Sequence, residues 1–305
     1  MAFGVADIPD LSGRVVVVTG ANSGLGLQTA SVLAAKGAHV LLAARDEPKL
    51  ARAMDTITRS TSDAKLTAVL LDLGNLAAVA DAAAAILQQV SRVDLLVNNA
   101  GVMGTPEGRT VDNFETQLGV DHLGHWALTA YLLPALLAAA AARVVTVTSF
   151  ARLMGRPLDP DNPHLDGGYD PWRAYGQAKL ANYHFGLGLQ ESFARAGASA
   201  SSLVAHPGLA HTNLQPTTVQ LGGAGGQARF WAWYARRFGM APAQAAMPQL
   251  RAATDPRARG GDFYGPRFTT FGPPVRLPVL RRGNPAAIRT LWEVSERETG
   301  LAINP

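Results

Sequence analysis

The chain is predicted to be α/β: a single doubly wound domain over residues 1–305, with a parallel sheet of about seven strands and helices on both faces. Three observations predict it. Short runs of Val, Leu and Ala alternate with stretches of helical spacing through the first two-thirds of the chain. Those runs are apolar throughout, as in parallel strands covered on both faces, rather than at every second residue. A glycine-rich turn joins the first run to the first helical stretch, and no linker rich in Pro, Gly and Ser divides the chain.

The elements follow in order. RVVVVTG (14–20) is the first strand and 25–37 the first helix, stopped by Gly37. Residues 38–45 make a strand and 47–60 a helix; 65–73, 75–90 and 92–101 continue as strand, helix, strand. A long helix covers about 113–140. A strand at 142–150, a helix opening with YGQAK at Tyr175 and running to 197, and a strand at 198–208 complete the regular part. Beyond Pro207 the pattern loosens, and residues 213–260 are read as a substrate-loop region. There Gly222, Gly223, Gly225 and Gly226 precede Phe230, Trp231, Trp233, Tyr234 and Phe238. These suit a hinged apolar lid over a ligand, a helix packed on its own core or on another subunit, or a helix lying on a membrane surface. Residues 241–254 are read as helical and 260–266 as a last short strand. An amphipathic end helix at 284–300 has Asn284 as cap, Pro285 in its first turn and Gly300 as stop.

Composition narrows the classes of function. With 305 residues, 48% hydrophobic and 16% charged, the chain can bury a sizeable core. It has no cysteine, which excludes disulfides, cysteine-ligated metal and a thiol nucleophile. None of the seven histidines has zinc-type spacing with a third ligand, so no metal is expected; His206 and His211, flanking a Pro-Gly turn, are candidates to touch substrate. The net charge is +4, with ten Arg (229, 236, 237, 251, 257, 259, 267, 276, 281, 282) between Gly226 and Gly283. Scattered among Pro and Gly, they read as a solvated surface, and no nucleic-acid partner is expected. The opening MAFGVADIPDLSGR lacks the basic start of a signal peptide, so a cytoplasmic protein is expected. The apolar run at 126–142 is short, Ala-rich and broken by Pro134, which suits a buried or interface helix rather than a transmembrane segment.

The glycine turn carries the first functional signal. TGANSGLG places Gly20, Asn22, Ser23, Gly24, Leu25 and Gly26 between the first strand and the first helix. A helix N-terminus offers free N–H groups and a positive dipole end to a phosphate. Gly20 permits the turn, Gly24 the approach of a pyrophosphate, and Gly26 close packing of helix on strand. A dinucleotide is therefore expected. At the end of the second strand stands Arg45, then Asp46. Arg45 favours NADP(H) by accommodating a 2′-phosphate; NAD(H) stays open if Arg45 points to solvent and Asp46 holds the ribose.

A second signal is the pair Tyr175 and Lys179. Six tyrosines and four lysines make about 0.1 accidental Tyr-x-x-x-Lys expected in the chain. Four helical residues place both on one face. A tyrosine beside a cation serves as acid or base in hydride transfer to a carbonyl or from an alcohol.

Together, T-G-x-x-x-G-x-G at 19–26, NNAG at 98–101, Ser149 after the fifth strand, YGQAK at 175–179 and HPGLAHT at 206–212 resemble the short-chain dehydrogenase/reductase family, in register from residue 12 to about 213. The resemblance implies a Rossmann-type NAD(P)-dependent oxidoreductase. It implies that Asp72 and Leu73 contact the adenine, although helix capping is also open to Asp72. Asn99, Ala100 and Gly101 would line the nicotinamide ribose, Lys179 would bond that ribose, Tyr175 would stand beside it, and Pro207, Gly208 and Thr212 would hold the carboxamide side. It makes Tyr175 the acid–base and Ser149 the residue orienting substrate; Thr148 is the alternative hydroxyl, less suited because the family serine stands six residues before a Gly, as Ser149 does before Gly155.

One residue departs from the pattern. The family commonly carries Asn where DHLGH (121–125) has Asp121, and the main-chain carbonyl of that Asn holds a water in a proton relay to the lysine. The backbone role survives in Asp121. Its carboxylate near Lys179 would raise the lysine and offset its pull on Tyr175, shifting the pH optimum or weakening the enzyme. The motifs TGANSGLG, HLGHWALT, YGQAKLAN and AHPGLAHTNL, with the long approach at 156–173, look most like the branch of retinol dehydrogenases and protochlorophyllide reductases. That branch implies NADP and an apolar carbonyl or alcohol substrate; the missing cysteine speaks against the chlorophyll chemistry. A homo-oligomer is expected. The different-class alternative, a non-catalytic NADP-binding sensor or scaffold, is supported only by Asp121.

Overall fold

Polar caps and glycines set where the elements begin and end in the computed structural model, which describes residues 3–210, 237, 239–279 and 285–305. The βαβ alternation runs β1 (Val15–Thr19), α1 (Gly24–Ala35), β2 (His39–Ala44), α2 (Glu47–Ser60), β3 (Lys65–Leu70), α3 (Leu76–Gln89) and β4 (Leu95–Asn98). Then come α4 (Thr116–Leu118), a π turn (Gly119–Leu123), α5 (Gly124–Leu137), β5 (Arg143–Val147), a 3-10 turn (Phe150–Leu153), α6 (Pro171–Arg195) and β6 (Ser201–Ala205). The last elements are α7 (Pro242–Ala245), α8 (Met247–Thr254), β7 (Phe263–Pro266), β8 (Pro274–Leu277) and α9 (Pro285–Thr299).

The strands form one sheet in the order β3-β2-β1-β4-β5-β6-β7-β8. The first seven are parallel and β8 runs antiparallel to β7, pairing Phe263 with Leu277. All seven expected strands form. The eighth lies in the proline-rich stretch 273–278, where no element was expected; an edge strand tolerates proline because one side needs no ladder bonds. Side chains of β1 divide between two cores. Val17 joins Trp126, Leu128 and Phe185 on one face, while Val16 and Val18 join Leu33, Leu50 and Leu250 on the other. The strand order reverses between β1 and β4, which opens a crevice at the strands' carboxyl ends, where doubly wound proteins bind ligands.

Two helix boundaries differ from expectation. The segment expected as one helix over 113–140 is interrupted by the π turn, where a Cβ on Gly119 would stand 2.6 Å from Thr110 Cγ2. Helix α6 begins at Pro171 rather than Tyr175, because Asp170 accepts the Trp172 and Arg173 N–H groups at 3.1 and 2.7 Å and Pro171 fits the first position. Every residue of α6 from 174 to 189 is buried within the one chain. Helix α9 supplies part of that cover: Trp292 packs edge-on to Trp126 and tilted against Phe185, and the Trp126 indole donates to the Leu301 carbonyl at 2.8 Å. Self-association would therefore use a surface other than this face of α6. The apolar run expected to be a buried or interface helix is α5, buried along most of its length. Among the described residues no helix is long and apolar enough to cross a membrane.

Candidate active site

Gly20 has φ +66° and Gly24 φ +54°, both in the left-handed region where a side chain is strained. A Cβ on Gly20 would lie 3.0 Å from Ala100 Cα, and one on Gly26 would overlap the Gly20 carbonyl and come within 2.7 Å of Asn99 Nδ2. Asn22, Ser23, Gly24 and Leu25 complete the turn into α1. Ser23 stands at the N-cap without a side-chain bond to the first turn, so that turn's N–H groups are donors for an anion. Close-packed glycines before an uncapped helix end fit a dinucleotide pyrophosphate.

The NNAG turn is fastened to β1. Asn99 Nδ2 donates to the Thr19 carbonyl at 2.8 Å, and the N–H groups of Asn99 and Ala100 both donate to Thr19 Oγ1 at 2.9 Å. Gln249 on α8 donates to Asn99 Oδ1 at 3.1 Å and to Thr29 Oγ1 at 2.6 Å. No sequence motif singles out Gln249, since it joins the site from a helix 150 residues away.

At the end of β2, both Asp46 oxygens are engaged. Oδ1 accepts the Lys49 N–H at 2.9 Å, capping α2, and Oδ2 pairs with Lys49 Nζ at 2.8 Å. Arg45 is exposed and makes no ion pair among the described residues. After β3, Asp72 does not cap α3. Asn75 does, accepting from the Ala77 and Ala78 N–H groups, while Asp72 Oδ1 accepts the Gly74 N–H at 2.9 Å. Leu73 is buried, with its carbonyl where a Cβ on Gly124 would have to go.

At the other end of the crevice, Tyr175 and Lys179 lie one turn apart on α6, both buried, with Nζ 5.7 Å from the Tyr175 ring centre. Ser149, following β5, has its hydroxyl near enough to Tyr175 to lower the phenol, and it accepts the Ala151 N–H at 3.2 Å. The alternative hydroxyl, Thr148, is buried and donates to the Lys179 main-chain carbonyl at 2.6 Å. Ser149 keeps its place because the 3-10 turn after it runs hard against α6: a Cβ on Gly155 would overlap the Gly176 carbonyl. Gly155→Ala is expected to displace the Ser149 segment from Tyr175 and lower kcat/KM by about 10–100-fold. Steady-state kinetics beside a thermal melt tests this; unchanged kcat/KM in a folded variant would show that the contact does not set the Ser149 position.

Asp121 stands in the π turn, and the structure brings it onto Lys179. Its Oδ2 is 2.9 Å from Nζ and its Oδ1 accepts the Val102 N–H at 2.7 Å. A Cβ on Gly101 would lie 3.0 Å from both Asp121 Oδ1 and Lys179 Nζ, so the last glycine of NNAG makes room for the ion pair. Burial raises the Asp121 carboxyl above its usual range, against the pull of Lys179. Burial by itself would lower Lys179, but the Asp121 carboxylate and Tyr175 raise it instead. Tyr175 is raised, first by burial; Lys179 pulls it back, Asp121 pushes it up, and the Ser149 hydroxyl lowers it.

The main-chain carbonyl of Asp121 accepts from His125 Nδ1 at 2.9 Å, and His125 Nε2 lies 2.8 Å from Thr19 Oγ1. A carbonyl only accepts, so Nδ1 carries the hydrogen and Nε2 accepts from the Thr19 hydroxyl. Burial holds His125 down at about 4, in its neutral form. The four-residue spacing in DHLGH is the signal for this bond, though nothing in the sequence points to Thr19 as the second partner.

Beyond β6, His206 Nε2 donates to the Thr269 carbonyl at 2.7 Å and Nδ1 accepts the Gly208 N–H at 3.2 Å, placing Pro207 and Gly208 at the crevice beside the β7–β8 turn. His211, Thr212, the glycines and aromatics of residues 222–234, Phe238 and Asn284 lie outside the described residues. Of the arginines, Arg251 and Arg257 pair with Asp255 and Arg276 lies 3.6 Å from Asp262, so these do not form a free basic stripe.

The family model described as short chain dehydrogenase matches residues 14–220. The chain belongs to the short-chain dehydrogenase family and is an NAD(P)-dependent oxidoreductase. Within the family it falls in the retinol dehydrogenase-like branch. It is 35% identical over 295 residues to retinol dehydrogenase 13 of Homo sapiens, covering 95% of this chain and 86% of that protein. It is 31% identical over 310 residues to the short-chain dehydrogenase/reductase prx1 of Penicillium roqueforti, covering 97% and 87%. The crystal structure of an uncharacterized protein from Mycobacterium paratuberculosis is similar with TM-score 0.78 and 37% identity, covering 100% of both chains. L-sorbose reductase from Gluconobacter frateurii, complexed with NADPH and L-sorbose, shares the fold at TM-score 0.67 and 20% identity, over 85% of this chain and 96% of that one.

Proposed function

We propose that this oxidoreductase uses NADP(H) and transfers a hydride between the nicotinamide and the carbonyl or alcohol carbon of an apolar substrate, as a cytoplasmic enzyme. The observation that carries the chemistry is the buried Tyr175, one helical turn from Lys179 and within reach of the Ser149 hydroxyl. The bound cofactor supplies or takes the hydride. Gly20 and Asn22 to Gly26 would hold its phosphates, Asp72 and Leu73 its adenine, and Asn99 to Gly101, Pro207, Gly208 and Thr212 its nicotinamide half. In reduction, Tyr175 Oη gives its proton to the substrate oxygen as charge develops there, and Ser149 Oγ donates a hydrogen bond to the same oxygen. Oxidation reverses both. Lys179 keeps two N–H donors beyond the one facing Asp121, enough for the ribose hydroxyls. The relatives' names favour an enzyme over a sensor or scaffold.

Arg45 supports NADP(H), since Asp46 is spent on its own helix and lysine while Arg45 is exposed at the strand end. Arg45→Ala is expected to weaken NADPH binding by about 10–100-fold and leave NADH binding nearly unchanged. Titration of both cofactors checks it, and equal losses for the two would remove Arg45 from the 2′-phosphate. An apolar substrate is supported by Phe150, Leu153 and Met154, exposed at 45%, 54% and 60% immediately after Ser149. Trp172 stands edge-on to the Tyr175 ring at 6.3 Å. A panel of carbonyls and alcohols followed with NADPH and NADH in parallel tests cofactor and substrate class together.

A further inference from the structure

We infer that the enzyme is set to work as a carbonyl reductase at neutral pH, because Asp121 cancels the charge of Lys179 beside Tyr175 and so keeps the tyrosine protonated. This rests on the proposed role of Tyr175 as acid–base. The Asp121–Lys179 pair, at 2.9 Å and buried, has no net charge whether its proton sits on Nζ or on Oδ2. A lysine in such a pair pulls on a neighbouring phenol far less than a lone ammonium does. The tyrosine therefore holds the proton that reduction consumes.

His125 is the positioning residue for this pair. Its Nδ1–H occupies the Asp121 carbonyl, the oxygen to which the family resemblance assigns the relay water, and its Nε2 is anchored by Thr19. Thr19 Oγ1 in turn accepts the Asn99 and Ala100 N–H groups at 2.9 Å. The π turn, the first strand and the NNAG turn are thereby tied together, and Val102 N–H holds the other carboxylate oxygen at 2.7 Å. What remains facing Lys179 is a carboxylate.

Among the described residues the groups around the trio are few. Tyr175 faces Lys179 on its own helix, Asp121 from the π turn and the Ser149 hydroxyl from beyond β5. Asp121 faces Lys179 and, from the start of α4, the buried Glu115, whose glutamic acid is raised first by burial and further by repulsion from Asp121. His125 is neutral.

The test is the pH dependence of reductive kcat/KM with NADPH for the native enzyme, Asp121→Asn and His125→Asn, with Tyr175→Phe as reference. In Asp121→Asn the amide oxygen still accepts the Val102 N–H, so fold and NADPH affinity are expected to persist. Native kcat/KM is expected to stay level through neutral pH and to fall only on the alkaline side. In Asp121→Asn that fall moves to lower pH, giving about tenfold lower kcat/KM at a pH above both limbs. His125→Asn keeps a donor near the Asp121 carbonyl but loses Thr19, and its limb is expected to move the same way by less. Superimposable native and Asp121→Asn limbs, or a shift to higher pH, would overturn the inference. If Tyr175→Phe remains fully active, it is the acid–base assignment itself that fails.

Discussion

Tyr175→Phe is expected to lower kcat by about 10²–10⁴-fold while NADPH binding changes little. The ring stays packed edge-on against Trp172, and the loss is confined to the hydroxyl that moves the proton. Single-turnover rates with a saturating carbonyl, beside a direct NADPH titration, separate the two quantities. The turnover measurement also discriminates an enzyme from a sensor, in which no substrate would turn over with or without the hydroxyl. An unimpaired kcat would place the proton donor elsewhere in the crevice.

Acid is expected to destabilise the fold steeply. His122, His125 and His206 are each held neutral by burial, at about 3, about 4 and about 4 against an unperturbed 6.5. Their folded-state values are depressed, so the unfolded chain binds more protons below 6.5 and stability falls as pH drops from there toward the folded values. Three such groups remove about 5 kcal/mol between pH 7 and pH 5, a large part of the 5–15 kcal/mol of an ordinary domain. Glu115 and Asp121, both raised by burial, bind protons earlier in the folded state and offset part of that loss. Geometry agrees with the sign. A proton on His125 Nε2 would confront Thr19 Oγ1, which already accepts two N–H groups, and a proton on His206 Nδ1 would confront the Gly208 N–H. Denaturant melts at a series of pH values check this. A midpoint that is flat from pH 7 to pH 5 would mean that the three imidazoles are not buried neutral.

These expectations divide into those that follow from local sequence and those that required the fold. The βαβ alternation, the glycine turn at Gly20 to Gly26 and the helical spacing of Tyr175 and Lys179 depend on neighbours a few residues apart, so the sequence determined them directly. The start of α6 was also written locally, in Asp170 followed by Pro171. The short strand β8 was not legible, because proline-rich edge strands carry no periodic signal.

Tertiary structure alone decided four matters, each by bringing together groups far apart in the chain or by fixing where a side chain points. It set Asp121 on Lys179, where sequence reasoning expected an interaction only through the family pattern. It tied His125 to Thr19 across 106 positions. It committed Asp46 to its own helix and left Arg45 exposed, the arrangement on which the proposal of NADP(H) rests. It buried α6 from 174 to 189 within one chain, which removes that face from any subunit contact. The physical reason is common to all four. Residue type and spacing state which chemistry a site can perform. The charge a tyrosine feels depends on what lies within a few ångströms, and that distance is set by packing of the whole chain.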